Sequence, residues 1–439
     1  MSIIIPANSA VAGGYDVENS CRFNSASSST LVRTQGTATN LKKFVWSCWI
    51  KRSTLGAGQY IVYNYNSGTD QAFFYFRGTD DLRFFNRSGG ADTVWVSNSL
   101  LRDVSAWYHL LIKVDTTQGT DTNRLKIFIN GVQDTGNGIT YPGLNADMAL
   151  NTASASNRHS LASDGGGANF VGGYFAETVL IDGTSPDYTD FGEFDEDSGI
   201  WKPIDVSGLT FGNNGYYSGG TDFTETNIAA TNQSTDTCTN NFITINPLDN
   251  YFASSVFSNG NLTVVTNSSA RTWNNSTIGL TSGKYYCEMK SVGVGAGALI
   301  GIIATSPNST TNRADNNPYA WVYLNGGSLK NNGSTQSGTW ASWAASDIIG
   351  MALDLDNNKI YFSKNGTWQN TGTANPSTGT DGFAITAVSS LPATQAGCYF
   401  ILCSDDSTSN NATFDWNFGS PSYAVSSGNA DGNGYGNFE

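Results

Sequence analysis

Charged residues are scarce in this sequence of 439 residues, since Asp, Glu, Lys and Arg together make up only 13%. The 22 Lys and Arg are outnumbered by 36 Asp and Glu, which gives a formal net charge of −14. No basic stretch stands out along the chain, whereas a phosphate backbone is bound through clustered Lys and Arg. The sequence therefore predicts a protein that does not bind nucleic acid.

Long hydrophobic runs are also missing. No apolar stretch approaches the roughly 18–20 residues that a membrane-spanning helix needs. The opening segment, Met1–Asn8, has neither the basic region nor the apolar length of a secretory signal peptide. We therefore expect no membrane insertion, and we expect the chain to fold in a cytoplasm.

Cysteine and histidine are rare. Six cysteines are too few for a disulfide scaffold in a chain of this length, and they lack the paired spacing of a structural metal site. Cys48 and Cys287 alternate with apolar residues, a pattern typical of small core side chains, so we expect six free thiols. The two histidines, His109 and His159, form neither a triad nor a metal cluster, and we predict structural or solvated roles for them.

Turn-forming and aromatic residues are abundant instead. The chain contains 49 Gly, much Asn, and 12% aromatic residues, which argues against long helices and against disorder. Short strand-like segments alternate with Gly, Asn, Asp and Thr clusters, a pattern typical of β-sandwiches. Asn130-Gly131, between two alternating runs, predicts a tight hairpin. The predicted fold class is all-β, with two β-sandwich (jelly-roll) domains joined by an irregular connector.

The strand signals divide the chain into four regions. Residues 1–203 form the first predicted sandwich, and residues 251–420 form the second. Residues 204–250 show weak periodicity and are predicted to be an irregular connector that buries little. Residues 421–439 are rich in Gly, Asn and Ser and nearly free of aliphatic side chains, so they are predicted to form a flexible or extended tail.

The second predicted sandwich carries five motifs in order along the chain. They are Ser282–Met289, Ile300–Ala304, Trp321–Lys330, Asp347–Asp356 together with Lys359–Gly366, and Phe414–Gly419. This series resembles the SPRY family. The resemblance implies a bent β-sandwich that serves as a binding module, recognises its partners through loops and has no shared catalytic role.

The first predicted sandwich resembles laminin-G or concanavalin-like jelly rolls. The segments that carry this resemblance are Phe44–Lys51, Trp107–Asp115 and Leu125–Val132.

The order of the segments along the whole chain is similar to that of tail-fibre-like structural proteins of tailed bacteriophages, particularly marine and cyanobacterial ones. This order comprises Ser2–Ser9, the jelly roll, Phe191–Pro203, Asn240–Asp249 and the SPRY-like region. It implies a virion protein assembled in the cytoplasm of a bacterial host, with other virion structural proteins and host cell-surface polysaccharide as partners. Such fibres are commonly trimers, so a homo-oligomer is expected, with a trimer by analogy.

The sequence offers little for catalysis or metal binding. Asp354 and Asp356 alternate onto one strand face, a spacing similar to the paired carboxylates of glycan hydrolysis, but their place in the SPRY-like hairpin favours turn and strand-end roles. The acidic run between Asp182 and Asp197 offers oxygen ligands for Ca²⁺, yet it follows no calcium-loop order. We predict a solvated connector there, no metal, no cofactor and no catalytic residue.

The candidate ligand-binding residues lie in three loops of the SPRY-like region, over residues 308–319, 325–332 and 336–346. Aromatic rings cover sugar C–H groups while amides bind hydroxyls, so aromatic residues beside Asn and Ser favour a glycan ligand. Core packing is the alternative for each tryptophan. The predicted stacking residues are Tyr319, Trp340 and Trp343, and the predicted hydrogen-bonding residues are Asn316, Asn317, Asn331 and Asn332.

The main functional hypothesis is therefore a non-enzymatic tail-fibre or spike component that binds a host surface glycan. One alternative is a decoration or cement protein of the capsid, in which the same domains would hold subunits together. Another is a polysaccharide-degrading tailspike, which would normally show a long repeated β-solenoid and a paired acidic site; the sequence shows neither signal.

Overall fold

The computed structural model of the chain describes residues 14–217, 223–304, 313–432 and 436–439. The chain divides into two compact units, Met1–Asn241 and Phe242–Glu439. Within the described ranges the regular structure consists of β-strands and short 3-10 helices, without an α-helix, and the predicted all-β class is confirmed. No helix found there is long and apolar enough to cross a membrane. The 3-10 helices span Ser25–Ser27, Asp121–Asn123, Tyr188–Asp190, Ala230–Asn232, Ala314–Asn316 and Val388–Ser390.

The first unit is a sandwich of two antiparallel sheets. Its strands in chain order are β1 (Ser20–Phe23), β2 (Thr30–Arg33), β3 (Lys43–Arg52), β4 (Gln59–Ser67), β5 (Asp70–Phe76), β6 (Asp81–Ser88), β7 (Ala91–Leu100), β8 (Trp107–Asp115), β9 (Leu125–Ile129), β10 (Val132–Asp134), β11 (His159–Leu161), β12 (Gly173–Asp182), β13 (Gly192–Phe194), β14 (Trp201–Pro203), β15 (Tyr216–Tyr217), β16 (Thr224–Thr226) and β17 (Gln233–Ser234). Sheet A has the order β10-β9-β8-β3-β12-β1-β17, with β15 beside β12, and sheet B has the order β16-β2-β11-β4-β5-β6-β7. The short strands β13 and β14 form a separate hairpin.

The core of this sandwich lies between the two sheets. Alternate residues of each strand point inward, and Trp46 of β3 meets Phe74 of β5 with ring centroids 6.0 Å apart. Cys48 lies on the same inward face of β3 and is fully buried, as its alternation predicts. All six cysteines are free thiols, and burial raises the pKa of the Cys48 thiol to about 12.

The predicted hairpin at Asn130-Gly131 is confirmed. These two residues link β9 to β10, with Ile129 paired to Val132, and their φ angles are 49° and 73°. Two consecutive left-handed residues match the twist of the flanking strands, which is why Asn-Gly is favoured in two-residue loops. A Cβ atom at position 131 would lie 2.2 Å from Cε3 of Trp201, so the close approach of this ring also requires glycine.

Residues 204–217 and 223–241 complete the first sandwich, and the prediction of an irregular connector over these residues was wrong. The short strand β15 pairs with β12, β16 pairs with β2, and β17 pairs with β1. Val206 joins Val45 and Leu111 in an apolar cluster on the outer face of sheet A. Strands of two or three residues are too short to show a period in the sequence, which is why the pattern did not reveal them.

A buried ion pair fixes this segment to the outer face of sheet A. Nζ of Lys51 lies 2.8 Å from Oδ2 of Asp236, and the two side chains are only 1% and 3% exposed. The other carboxylate oxygen of Asp236 accepts a hydrogen bond from Nε1 of Trp107 at 3.1 Å. Lys51 also donates to Oδ1 of Asn241 at 2.7 Å. The segment is therefore held by charge as well as by strand pairing.

The second unit is also a sandwich of two antiparallel sheets. Its strands in chain order are β18 (Ile245–Tyr251), β19 (Val256–Ser258), β20 (Thr263–Val265), β21 (Thr272–Ser276), β22 (Lys284–Gly293), β23 (Ala298–Ile303), β24 (Ala320–Leu324), β25 (Ser328–Asn331), β26 (Ser334–Thr335), β27 (Ile348–Asp354), β28 (Lys359–Lys364), β29 (Thr367–Trp368), β30 (Phe383–Ala384), β31 (Phe400–Asp405), β32 (Thr413–Asn417), β33 (Asn429–Ala430) and β34 (Asn437–Phe438). Sheet C has the order β18-β21-β31-β23-β24-β25-β26, and sheet D has the order β19-β20-β32-β22-β27-β28-β29, with β30 beside β28.

The chain end packs onto the second sandwich, so the predicted flexible or extended tail was wrong for the described residues. Strands β33 and β34 pair with each other, and Phe438 is buried beside Tyr286 at a centroid distance of 5.0 Å. The backbone N–H of Glu439 donates to Oε2 of Glu288 at 3.1 Å. One aromatic anchor and backbone hydrogen bonds hold this segment, and composition alone does not reveal either.

Candidate functional site

The predicted stacking residue Trp343 lies in the core of the second sandwich. Its side chain is 3% exposed, and its ring centroid lies 6.5 Å from that of Tyr323. An enclosed ring offers no face to a sugar, which corrects the predicted role of this residue. Trp343 lies outside any strand, so strand alternation could not indicate that its ring turns inward.

Trp340 and Tyr319 are half-buried at the edge of the same core. Nε1 of Trp340 donates to the carbonyl oxygen of Ser337 at 3.1 Å, and its ring lies 5.6 Å from the ring of Tyr323. Both residues keep part of their surface exposed. They contribute to packing and leave only a limited area for a ligand.

The predicted amides mainly hold their own loops together. Asn317 is buried, and its Oδ1 accepts from the backbone N–H of Tyr319 at 2.8 Å. Nδ2 of Asn331 donates to the carbonyl oxygens of Pro318 and Ala320 at 3.0 and 2.8 Å. Asn316 and Asn332 are exposed. Part of the predicted loop 308–319 falls outside the described residues.

Both histidines are buried and uncharged, which agrees with structural roles. Nε1 of Trp201 donates to Nδ1 of His109 at 3.0 Å, and the opposite ring nitrogen, Nε2, lies 2.7 Å from Oγ of Ser47. Because Trp201 can only donate, Nε2 carries the proton and donates to Ser47. Burial lowers the pKa of His109 to about 3 and also lowers the pKa of His159.

The candidate carboxylates have turn-forming contacts. Oδ2 of Asp354 lies 2.8 Å from Nζ of Lys284, and Oδ1 of Asp356 accepts from the backbone N–H of Gly283 at 2.7 Å. Asp182, in the acidic run, is buried and accepts from backbone N–H groups of the first sandwich. In the part of the chain that the structure describes, no group of three His, Cys, Asp or Glu side chains could hold a metal ion.

A different group of aromatic side chains lies on the outer face of sheet B. In β5, Ala72, Phe74 and Phe76 point into the core, so Phe73 and Tyr75 point outward. The register of β4, β5 and β6 places Tyr60 opposite Tyr75, Tyr63 opposite Phe73, and Phe73 opposite Phe85. We call the outward rings the aromatic face. They are Tyr60, Tyr63, Tyr65, Phe73, Tyr75 and Phe85.

The rings of the aromatic face contact one another across three strands. Phe73 and Phe85 stack with centroids 4.8 Å apart and planes at 20°, and Tyr60 and Tyr75 stack at 4.9 Å and 24°. Adjacent strands are about 4.8 Å apart, so rings that stack at this distance stand upright on the sheet. They present ring edges and tyrosine hydroxyls to the outside.

The aromatic face remains accessible. Tyr63 is buried, whereas the other residues are half-buried and keep part of their surface exposed. Burial beside Tyr75 and Tyr63 raises the pKa of Tyr60 to about 12. The Tyr60 hydroxyl therefore stays protonated at neutral pH and can both donate and accept hydrogen bonds.

Guanidinium groups border the aromatic face on two sides. Cζ of Arg158 lies 4.9 Å from the ring centroid of Tyr65. On the other side, Cζ of Arg83 and Cζ of Arg87 lie 5.8 and 5.5 Å from the centroid of Phe85. Such contacts are typical of cation–π pairs. The site thus combines ring edges, hydroxyls and planar cations.

Sequence reasoning assigned the sheets to the core and looked for ligand-binding residues only in loops, so it missed this face. A signal was present in β5, where Ala72–Phe76 reads Ala-Phe-Phe-Tyr-Phe. A strand with one solvated face normally alternates apolar with polar residues. Aromatic residues on both faces of one strand indicate that its outer face is either covered by another part of the protein or used as a binding surface.

The geometry places the molecule in the class of two-sandwich β-proteins, and family comparison identifies both sandwiches. Residues 25–183 match the family described as the Concanavalin A-like lectin/glucanases superfamily, of the laminin-G type, and residues 284–405 match the SPRY domain. The chain thus has an N-terminal concanavalin A-like domain and a C-terminal SPRY domain, and both predicted resemblances are confirmed. The aromatic face lies within the first matched range.

Several solved structures are similar to parts of the chain. The SPRY domain of human HERC1 is 18% identical and covers 39% of this chain and 96% of its own, with a TM-score of 0.31. The heptameric SAP-like pentraxin of Limulus polyphemus is 11% identical, with 49% and 98% coverage and a TM-score of 0.33. The CBM40 domain of Ruminococcus gnavus IT-sialidase, bound to α2,3-sialyllactose, is 16% identical, with 31% and 73% coverage and a TM-score of 0.25. No curated protein sequence matches the chain.

Proposed function

We propose that the first sandwich binds a glycan on the aromatic face. The observation that carries this proposal is the continuous contact of half-buried, outward-facing rings across β4, β5 and β6. A contiguous exposed apolar patch on a soluble domain usually marks a binding surface. Tyrosine offers an apolar ring edge and a hydroxyl together, which suits the mixed C–H and O–H surface of a sugar. The lectin description of the matched family supports the same ligand class.

The alternative occupant of this surface is another protein. Tyrosine and arginine are also enriched at the centres of protein interfaces, so residue type alone favours neither ligand. The tyrosine hydroxyls favour a glycan because they provide several hydrogen-bonding groups within one sheet face. A glycan-binding experiment distinguishes the two occupants.

We further propose that the protein acts by binding and not by catalysis. The enclosed His109, the ion-paired Asp354 and the turn-forming Asp356 support this, since each of these chemically suggestive groups already has structural partners. A reducing-sugar assay on host polysaccharide tests the proposal. Release of reducing ends by the purified chain would contradict it and favour a polysaccharide-degrading tailspike.

The proposed setting is the virion of a tailed bacteriophage, assembled in the host cytoplasm, where a homo-oligomer of this chain serves as a tail-fibre or spike component. The order of motifs from Ser2–Ser9 through Asn240–Asp249 supports this role. Electron microscopy of labelled virions tests the location. Label at the tail tip or fibre is expected, whereas label over the head would favour the capsid decoration protein.

Truncating rings of the aromatic face should weaken glycan binding without unfolding the domain. Tyr60→Ala and Tyr75→Ala should each lower affinity by about 10- to 100-fold, the usual effect of losing a central aromatic anchor. The measurement is binding of the full chain to an array of bacterial surface oligosaccharides, with the thermal midpoint recorded for each variant.

Phe194→Ala is the matched control for this experiment. Phe194 is 45% exposed and packs edge-on against Trp201, away from the aromatic face, so its loss should leave affinity unchanged. If Tyr60→Ala and Tyr75→Ala both fold and bind glycan like the parent chain, the proposal is contradicted. Recognition would then lie elsewhere, and the exposed edge of Trp340 would be the next surface to vary.

A further inference from the structure

We infer that the glycan bound by the aromatic face is acidic, and that Arg83 and Arg158 bind its carboxylate or sulfate groups. This inference rests on the proposed function and names the ligand class for the same face. The evidence is a difference between arginines. Among the described residues, Arg83 and Arg158 on the aromatic face lack the anionic or carbonyl partners that the other arginines of the first sandwich have.

Most other arginines of the first sandwich have anionic or carbonyl partners. Arg52, Arg77, Arg87 and Arg102 pair with aspartates, and Arg22, Arg33 and Arg124 donate to backbone carbonyl oxygens. Arg83 and Arg158 form no ion pair with any residue in the described ranges, and the guanidinium of each lies against a ring of the aromatic face. A half-buried cation without an anionic partner is costly, and a bound anion would remove that cost.

Two arginines without an anionic or carbonyl partner in the described ranges are unusual in a chain with so many carboxylates. The formal net charge is −14, so carboxylates are available for pairing on most of the surface. Two acidic groups lie near the face. Asp92 interacts with Arg83 but is already paired with Arg87, and Asp164 influences Tyr60 and Tyr63 but accepts from the backbone N–H groups of Gly166 and Ala168. Neither carboxylate forms an ion pair with Arg83 or Arg158 in the described ranges, so both guanidinium groups can still pair with an anionic ligand.

The position of the two arginines suits an extended ligand. Arg158 directly precedes β11, Arg83 lies on β6, and the order β11-β4-β5-β6 separates them by three strand spacings, about 14 Å. The aromatic rings lie between them. A linear oligosaccharide across the strands would meet ring edges in the middle and a planar guanidinium on each side, which binds carboxylate or sulfate through two parallel hydrogen bonds.

The test uses the full chain and matched pairs of oligosaccharides. Oligomers of galacturonate, hyaluronan and polysialic acid are each presented beside their carboxyl-reduced forms, and chondroitin sulfate is presented beside its desulfated form. At least one acidic member should bind about tenfold or more tightly than its neutral form, the gain expected of charge-assisted pairs. Arg83→Gln and Arg158→Gln should each abolish this preference, and Arg83→Lys should retain part of it.

Arg87 provides the matched control, because Oδ1 of Asp92 lies 2.6 Å from its Nε and neutralises its charge on the same face. Arg87→Gln should therefore change the preference little, whereas Asp92→Asn frees Arg87 and should increase it. Thermal midpoints show that each variant is folded.

Three outcomes would overturn the inference. Binding of neutral forms that depends on Tyr60 and Tyr75 but not on the arginines would leave the proposed function standing and remove the acidic ligand. Binding of poly-glutamate as tightly as the acidic glycans would show that the face recognises charge alone. A parent chain that binds no member of either set would contradict both the inference and the proposed function.

Discussion

Replacing Asp236 with alanine should lower the free energy of unfolding of the first sandwich by about 3–5 kcal/mol, the usual cost of leaving one charge of a buried pair unpaired. The loss is large because the ammonium group of Lys51 would lose its anionic partner in a site where the side chain is 1% exposed. Nε1 of Trp107 would also lose its acceptor. Urea unfolding followed by tryptophan fluorescence measures the change, with the transitions of the two units fitted separately.

Two further variants make this experiment specific. The double variant Lys51→Met, Asp236→Leu should recover most of the loss, since it removes both charges and fills the same space. Asp92→Ala, which breaks the half-exposed pair with Arg87, should cost less than about 1 kcal/mol. If Asp236→Ala behaves like Asp92→Ala, the segment 204–241 is held by its strand pairing and not by the buried pair.

The sequence predicted the parts of the fold that carry a local signal, either a regular alternation along a strand or a turn-forming pair of residues. Asn130-Gly131 was found because both residues must be left-handed in a two-residue loop, a requirement that few residue types meet. Cys48 was placed in the core because β3 is long enough to show alternation. Segment 204–241 was missed because its strands are short and its attachment depends on Asp236, a polar residue whose partner Lys51 lies 185 residues away in the chain.

The predicted stacking role of Trp343 was wrong for a related reason. A loop tryptophan such as Trp343 carries no periodic signal, so the sequence could not show that its ring is enclosed. The aromatic face was overlooked because Phe73 and Tyr75, taken alone, resemble ordinary core residues of a strand. Their outward direction follows once the structure shows that Ala72, Phe74 and Phe76 fill the core. The register then brings Tyr60 and Phe85 beside them.

Trp343→Ala should lower the free energy of unfolding of the second sandwich by about 3–5 kcal/mol, as large-to-small changes of core aromatic residues do. The ring fills space beside Tyr323 in the core, and its removal would leave a cavity there. Trp340→Ala should cost clearly less, because part of that ring is already exposed to solvent. Chemical unfolding of the full chain, fitted for the second transition, gives both values.

Trp343→Phe separates packing from hydrogen bonding in this comparison. Nε1 of Trp343 is buried without a hydrogen-bond partner, so phenylalanine removes an unpaired polar group while keeping most of the ring. Its cost should therefore be well below that of alanine.

All three variants, measured at a temperature where they remain folded, should bind glycan arrays like the parent, because the proposed ligand site lies on the first sandwich. A Trp343→Ala chain that keeps its stability but loses glycan binding would restore the loops of the second sandwich as the recognition surface and contradict the assignment to the aromatic face.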